Sequence, residues 1–409
     1  MRVLFIHTYY YPENMGGAEI SVQKLAEALV KHGVEVYVLC TSDNNRQEII
    51  NGVNIWRIKP YVSMRYINYN KRSMGRKILT RWQVYVERFL DLYNPENYRM
   101  LKLYIKEIAP DVVHTNCLYH FGIASWQAAR DCNIPVINTL RDFYFLCQNV
   151  NLRHSFSGKY CDNPNILCRI RKKVIRDNIC QNVTCLTTPS KTMADMFYRN
   201  MSLPKDSIKI VYNAIDFDEK KVSETIYERL NKSAKTVHFV YLGTLGEYKG
   251  VKWMIDCFEK AAINDAYLHI AGKGKLLEYV MRKCKENPKI IYEGFLHEDE
   301  IRKLLFRCDV LLCPSLWAEP FGRVVLDAYK HGLPVIASDQ GALPEIVKDQ
   351  KTGIIVTAEN KYELINAFKR ATDKSFINNT ILNIPKQLEK FSINSQVIKF
   401  MEIYSDLKK

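Results

Sequence analysis

The chain has 409 residues, 47% of them hydrophobic and 25% charged, with a formal charge of +15. That length suits two domains of roughly 200 residues each, and the composition excludes wholesale disorder. No run of about 18 apolar residues occurs, which excludes a membrane-spanning helix.

Met1-Arg2 runs straight into the short apolar stretch 3–6, a pattern that predicts no secretory leader and a cytoplasmic protein. The twelve cysteines then read as reduced core residues rather than bridges. Residues 2–7 form a strand-length apolar run, followed by a loop carrying Pro12, Asn14, Gly16 and Gly17. Ile20, Leu25, Ala28 and Leu29 recur on one helical face until Gly33 stops the pattern, and residues 34–39 are strand-like again. These three segments predict a β-α-β unit with parallel strands. Gly16-Gly17, with Ala18-Glu19 opening the helix, brings bare backbone and unpaired N–H groups to a loop where phosphate or sugar oxygens can dock.

Residues 57–106 hold twelve Lys or Arg against three acids, a net of +9, interleaved with Tyr61, Tyr66, Tyr69, Trp82, Tyr85 and Tyr93. Arg72, Arg76, Lys77, Arg81 and Arg88 lie at its centre, and Arg169, Arg171, Lys172, Lys173 and Arg176 form a second basic cluster. Such patches suit anionic lipid headgroups, polyanionic acceptors or nucleic acid, and the plain alternative is solvated helix faces. An anionic membrane surface is the favoured partner, ahead of nucleic acid, which is not expected as one.

Residues 111–114, 135–139 and 183–187 read as further strands, the last closing this half, with a helix over 126–131. Cys147, Cys161 and Cys168 lack the paired spacing of a zinc site, so no metal is expected there. Residues 208–212 and the turn 213–216 lead into a polar stretch over 217–236. The expected division is therefore a first domain over 1–214, a linker over 215–236 and a second domain over 237–391. A helix near 392–409 is expected to return to the first domain. Asp216-Phe217-Asp218 mimics a metal-binding Asp-x-Asp but falls in that linker, which discounts it.

The second half repeats the alternation, with strands at 237–242, 267–271, 290–293, 310–313, 334–337 and 353–356. Helices are expected at 251–260, 275–285, 299–306 and 322–331. The strands lack period-two alternation, as in a parallel sheet covered on both faces. Two doubly wound Rossmann-like domains facing a central cleft are the predicted architecture, with ligands at the carboxyl ends of the strands.

The chemistry-bearing residues fall in strand-to-helix loops. The first of these in the second half is Gly243-Thr244-Leu245-Gly246-Glu247-Tyr248-Lys249-Gly250, where Lys249 can neutralise a diphosphate. The spacing is not that of a P-loop, and Gly272-Lys273-Gly274 lacks the third glycine of a dinucleotide fingerprint because Leu277 stands there. The most informative stretch runs Pro314-Ser315-Leu316-Trp317-Ala318-Glu319-Pro320-Phe321-Gly322-Arg323-Val324-Val325-Leu326-Asp327. Pro320 is expected in the first helical turn, leaving the amides of Phe321, Gly322 and Arg323 for a diphosphate. Glu319 then lies near the sugar and Asp327 near the ribose; a helix cap and a solvent-facing acid are the plain alternatives.

At these residues the chain resembles the family 4 retaining glycosyltransferases of GT-B fold. The resemblance covers the Gly-Gly loop, Asp111-Val-Val-His114, Thr139-Leu-Arg-Asp142, Asn213-Ala-Ile-Asp216, Gly243 with Lys249-Gly250, Pro314-Ser315 and Glu319 with Asp327. It implies that Glu319 contacts the donor sugar, Lys249 the diphosphate, Asp327 the ribose, and Gly16-Gly17 the diphosphate or acceptor side. It also implies metal-independent transfer from a nucleotide diphosphate sugar to a glycan or lipid-linked acceptor, without a protein nucleophile or added cofactor. Surface polysaccharide or glycolipid synthesis is the expected setting.

Three positions depart from the family pattern: Asp327 for a glutamate, Thr244 for an arginine, and Arg141 for the histidine of Thr-Leu-His-Asp. Arg141 is accordingly expected to replace the cation missing at Thr244, or to bind an anionic substrate. The competing readings are a catalytically silent GT-B scaffold and a GT-B epimerase or phosphorylase.

Overall fold

The computed structural model describes residues 1–13, 16–59, 92–147, 152, 161, 164–232 and 236–408. The basic residues Arg72, Arg76, Lys77, Arg81 and Arg88 lie outside them. The chain divides into two compact units, Met1–Tyr212 with Ile393–Lys409, and Asn213–Ser392.

Among the described residues, the first unit holds an eight-stranded sheet in the order β3-β4-β2-β1-β5-β6-β7-β8. Its strands are β1 (Arg2–Ile6), β2 (Glu35–Thr41), β3 (Arg46–Ile50), β4 (Val53–Ile58), β5 (Val112–Thr115), β6 (Val136–Thr139), β7 (Cys185–Thr188) and β8 (Ile208–Ile210). All neighbours pair in parallel except β3 on β4. Sequence reading missed that hairpin, although its turn carries a strong local signal: Asn51-Gly52, both at positive φ, the Asn-Gly pair of a type I′ turn. The last strand of the sheet is β8, one later than expected.

Strand β1 is central, so Val3, Leu4, Phe5 and Ile6 are wholly buried and show no alternation. The helix Gly17–Lys31 covers one face with Val22, Leu25, Ala26 and Leu29, and the C-terminal helix Ile393–Lys408 adds Val397, Phe400 and Tyr404 to the same core. His114 on β5 fastens that helix: its Nδ1 lies 2.7 Å from the Tyr404 hydroxyl, and its Nε2 lies 2.7 Å from Thr139 Oγ1. Burial lowers the pKa of this imidazole, helped by the Arg141 charge, and the two hydroxyl partners suit the neutral ring.

The second unit holds a six-stranded, wholly parallel sheet in the order β11-β10-β9-β12-β13-β14. Its strands are β9 (Val237–Leu242), β10 (Ala266–Ala271), β11 (Ile290–Gly294), β12 (Val310–Cys313), β13 (Val335–Ser338) and β14 (Gly353–Val356). The chain winds outward from β9 to β11, then crosses back to place β12 on β9's other side. The crevice outside β9 and β12 is therefore the topological switch point of this sheet.

The expected linker over 215–236 is corrected: Glu219–Leu230 is a helix belonging to the second unit. Its polar surface masked a narrow apolar stripe, Val222 and Ile226, which are the buried residues of the helix. Arg229 ties it down by donating to the carbonyls of His331, Cys308 and Leu305 at 2.6 to 2.8 Å. Asp218 of the discounted Asp-x-Asp is the N-cap, accepting from the amides of Lys220 and Lys221.

Candidate active site

In the second unit the loops after β9 and β12 meet at the switch point. The β9 loop tightens into a 3₁₀ turn over Glu247–Lys249 and ends at Gly250. Gly250 has φ +72°, and a Cβ there would stand 1.8 Å from the Pro314 carbonyl oxygen, so only glycine lets the two loops touch. The Leu316 amide completes the seam by donating to the Tyr248 carbonyl at 2.8 Å.

This seam brings Lys249 to Glu319, with Nζ 2.6 Å from Oε1. The Glu319 residue is only 7% exposed. Its Oε1 also accepts from the Ser315 hydroxyl, and Ser338 Oγ in turn donates to the Ser315 carbonyl at 2.6 Å. Desolvation pulls the Lys249 pKa down, but the Glu319 charge and hydrogen bond outweigh it and hold the ammonium above its ordinary value. The rings of Trp317 and Tyr248 flank the ammonium, with centroids 5.0 and 5.7 Å from Nζ.

Pro320 is not in the helix as expected. The helix is Arg323–Lys330, and its N-cap is Gly322 at φ +92°. The physical reason is that Phe321 is buried against the ring of Phe391 at 5.8 Å, which pulls the chain inward before the helix begins. The amides of Arg323 and Val324 precede the first turn's hydrogen bond, from Val325 N to Gly322 O at 3.0 Å. The Arg323 guanidinium reaches the Ala214 carbonyl at 3.4 Å. Asp327 lies one turn in and is half-buried. Desolvation raises its pKa, and Arg323, His331 and Lys330 oppose that rise. Thr244 is exposed, with its carbonyl accepting from the Tyr241 hydroxyl at 2.8 Å.

In the first unit the predicted residues gather at the ends of β1, β5 and β6. Gly16 caps the helix Gly17–Lys31, and its amide donates to Glu19 Oε2 at 2.9 Å. A Cβ on Gly17 would meet nothing within 4 Å, so that glycine borders open space. Arg141 is 6% exposed, and its Nε donates to Asn116 Oδ1 at 2.6 Å. Burial brings this guanidinium down to about 10, while Cys117, Tyr404 and Glu19 support its charge. Asp142 beside it accepts from the Tyr119 hydroxyl at 3.0 Å and the Tyr144 amide at 2.9 Å, with its pKa raised by burial. Arg141 belongs to the first unit and Thr244 to the second, and within its own unit Arg141 is a buried cation joined to Asn116.

Sequence reasoning missed Asn116 in the first unit and Gly341 in the second, and gave no role of their own to His7, Glu19, Ser315, Tyr248 and Trp317. A signal was present for several, since His7 ends a predicted strand and Asn116 and Gly341 each follow one. His7 lies 4.0 Å from Glu19 Oε1, and its Nδ1 accepts from the Cys117 amide at 3.2 Å. Desolvation, with the Arg141 charge, pushes the His7 pKa down to about 3; desolvation raises that of Glu19, and the Arg141 charge opposes that rise.

The family model for Glycosyltransferase Family 4 matches residues 15–219, half of the chain, and the model for Glycosyl transferases group 1 matches residues 222–392. The chain belongs to glycosyltransferase family 4. As in that family, this glycosyltransferase has the GT-B fold of two Rossmann-like units. It is similar to an uncharacterized glycosyltransferase of Methanocaldococcus jannaschii, 26% identical over 99% of this chain and 98% of that protein. It is also similar to an uncharacterized 42.6 kDa protein in the cps region of Klebsiella pneumoniae, 28% identical over 85% of this chain and 87% of that protein. Among solved structures it resembles Anabaena HepE in complex with UDP and glucose, with TM-score 0.68, 16% identity and coverage of 98% and 99% of the two chains.

Among the described residues, no group of three or more His, Cys, Asp or Glu side chains could hold a metal ion.

Proposed function

We propose that this family 4 glycosyltransferase moves a hexosyl or related sugar from a nucleoside diphosphate sugar to a glycan or lipid-linked acceptor, retaining the anomeric configuration. The single observation carrying this reading is the Lys249–Glu319 pair, 2.6 Å apart at the switch point of the second sheet. The diphosphate occupies the amides of Arg323 and Val324 with Lys249, Glu319 accepts hydroxyl groups of the donor sugar, and Asp327 takes the ribose. Gly16 and Gly17 border the diphosphate or acceptor side. The HepE complex with UDP and glucose supports a donor of this class.

The transfer breaks the sugar C1–phosphate bond and forms a C1–oxygen bond to the acceptor on the same face. The acceptor's proton passes to an oxygen of the departing phosphate, so no protein nucleophile is needed. Lys249 and the helix amides stabilise the charge that develops on that leaving group. They supply the positive charge for a metal-independent reaction, which chelation by EDTA should leave unaltered.

The cps-region relative supports surface polysaccharide synthesis as the setting. The site of action in this reading is the cytoplasm, at an anionic membrane surface, and the membrane contact is supported by the helix Ile166–Asn182. That helix exposes Ile166, Leu167, Ile170 and Val174 beside Arg169 and Lys173, the pairing of apolar and basic residues that lies down in a headgroup layer.

Thermal denaturation across uridine, guanosine and cytidine diphosphate sugars tests the donor. A ligand at about 100 times its dissociation constant stabilises by about 2.7 kcal/mol. A wild-type protein stabilised by no nucleotide sugar ends the proposal. One observation favours a silent scaffold instead: Arg141, where the family pattern the chain resembles has histidine, is buried. Slow donor hydrolysis that disappears in Glu319→Ala excludes it.

A further inference from the structure

The ammonium of Lys249 sits in a site built to hold it. Its side chain is 21% exposed and that of Glu319 is 9% exposed, so the pair is largely withdrawn from water. The Tyr248 and Trp317 rings pack edge to face, with centroids 5.8 Å apart and planes at 82°. Gly246 makes room for one of them, since a Cβ there would lie 2.8 Å from a Tyr248 ring carbon. These rings fix the ammonium's position but carry no net charge. A lysine held this way needs an anion nearby at every stage of the cycle.

Two anions are available to it. One is Glu319, the partner seen in the structure, a carboxylate that also accepts from Ser315. With donor bound the partner is the diphosphate, and hydroxyls of the donor sugar take the place of the ammonium at Glu319. After transfer the sugar has left with the acceptor. Glu319 then faces the spent nucleotide with a hydroxyl partner from Ser315 alone, and a buried carboxylate short of partners is costly.

We propose that Glu319 competes with the diphosphate for Lys249, so that loss of the sugar returns the ammonium to Glu319 and drives out the nucleoside diphosphate. This rests on the assignment of Lys249 to the diphosphate made above. Glu319 thereby acts twice: it holds the sugar when donor is present, and it weakens the product complex once the sugar is gone.

The test is calorimetric titration of the full chain with UDP, GDP and CDP. Glu319→Gln removes the competing charge and should bind the preferred nucleotide about tenfold more tightly than wild type, a gain of about 1.4 kcal/mol. The same variant should lose the wild-type preference for the nucleotide sugar over the nucleotide. Ser315→Ala should move the other way and bind the nucleotide several-fold more weakly, because Glu319 without its hydroxyl partner holds Lys249 harder. Lys249→Met should cost more affinity in the Glu319→Gln background than in wild type. Equal or weaker nucleotide binding by a folded Glu319→Gln, checked by its melting curve, overturns the exchange. A Glu319→Gln chain that does not fold leaves the opposite sign of Ser315→Ala as the deciding result, and unchanged or tighter binding there overturns it too. If wild type binds none of the three nucleotides, the assignment of Lys249 to the diphosphate falls first.

Discussion

Gly341 and Glu319 meet main chain to main chain. Gly341 has φ +63°, and a Cβ on it would stand 2.2 Å from the Glu319 nitrogen and 2.3 Å from its carbonyl oxygen. The same carbonyl accepts from the Ala342 amide at 2.9 Å. The loop after β13 therefore sets where Glu319 lies, although it contributes no side chain to the pair.

Gly341→Ala should cost at least about 2 kcal/mol, because the left-handed backbone and the collision add. Transfer should fall further than stability alone explains, since the displaced backbone is that of Glu319. Urea denaturation followed by activity on the remaining folded fraction separates the two effects. A variant with wild-type stability and turnover contradicts the contact.

Lys249 governs both donor affinity and a part of the alkaline stability. Lys249→Met should lower kcat/KM by about a hundredfold, the scale of losing one preorganised charge at a leaving group. Its folded pKa lies above the ordinary 10.5. The stabilisation is therefore fully present below that ordinary value and is lost only as pH climbs through the higher folded value. Comparing wild type with Lys249→Met by denaturant titration from pH 8 upward should show a constant difference that shrinks only at the alkaline end.

His7 predicts the opposite limb. Its folded pKa of about 3 lies below the ordinary 6.5, so the unfolded chain takes up this proton first. Stability from this residue is complete above 6.5 and declines as pH falls toward 3, by an amount on the order of a few kcal/mol. His7→Asn should flatten the acid side of the stability curve. An unchanged acid profile would mean that His7 takes up its proton as readily in the folded chain as in the unfolded one, against a lowered folded value.

Arg141 is a buried charge joined to Asn116, and removing it takes a neighbouring cation from the buried Glu19 carboxylate. Arg141→Met should destabilise the chain by about 3 kcal/mol, read by chemical denaturation. Arg141→His restores the family residue and should recover part of that loss.

Membrane contact is tested by sedimentation with vesicles containing anionic lipid. Leu167→Glu with Ile170→Glu should lower binding, as should Gln replacing Arg72, Arg76, Lys77 and Arg81. Binding unchanged by both sets refutes an association through these residues.

Much of the site was readable in the chain before any fold was known. The Gly16-Gly17 helix start, Lys249 and Glu319 all stand at the ends of apolar runs, where a parallel sheet presents its loops. The stretch 217–236 was misread because a surface helix with a narrow apolar stripe looks like a polar tether. Pro320 was misplaced because its fixed φ suits a helix start, whereas burial of Phe321 against Phe391 moved that start to Arg323.

Sequence alone determined the alternation of strand and helix, the loops that carry function and the chemical character of their residues. These follow from local sterics and from hydrophobic periodicity, which act over a few neighbours. Tertiary structure decided the partnerships: Lys249 with Glu319 across 70 residues, Arg141 with Asn116 across 25, and Gly341 against the Glu319 backbone. The reason is strand order. Crossing back to set β12 beside β9 joins loops far apart in the chain, and the burial that results turns a lysine and a glutamate into one coupled pair.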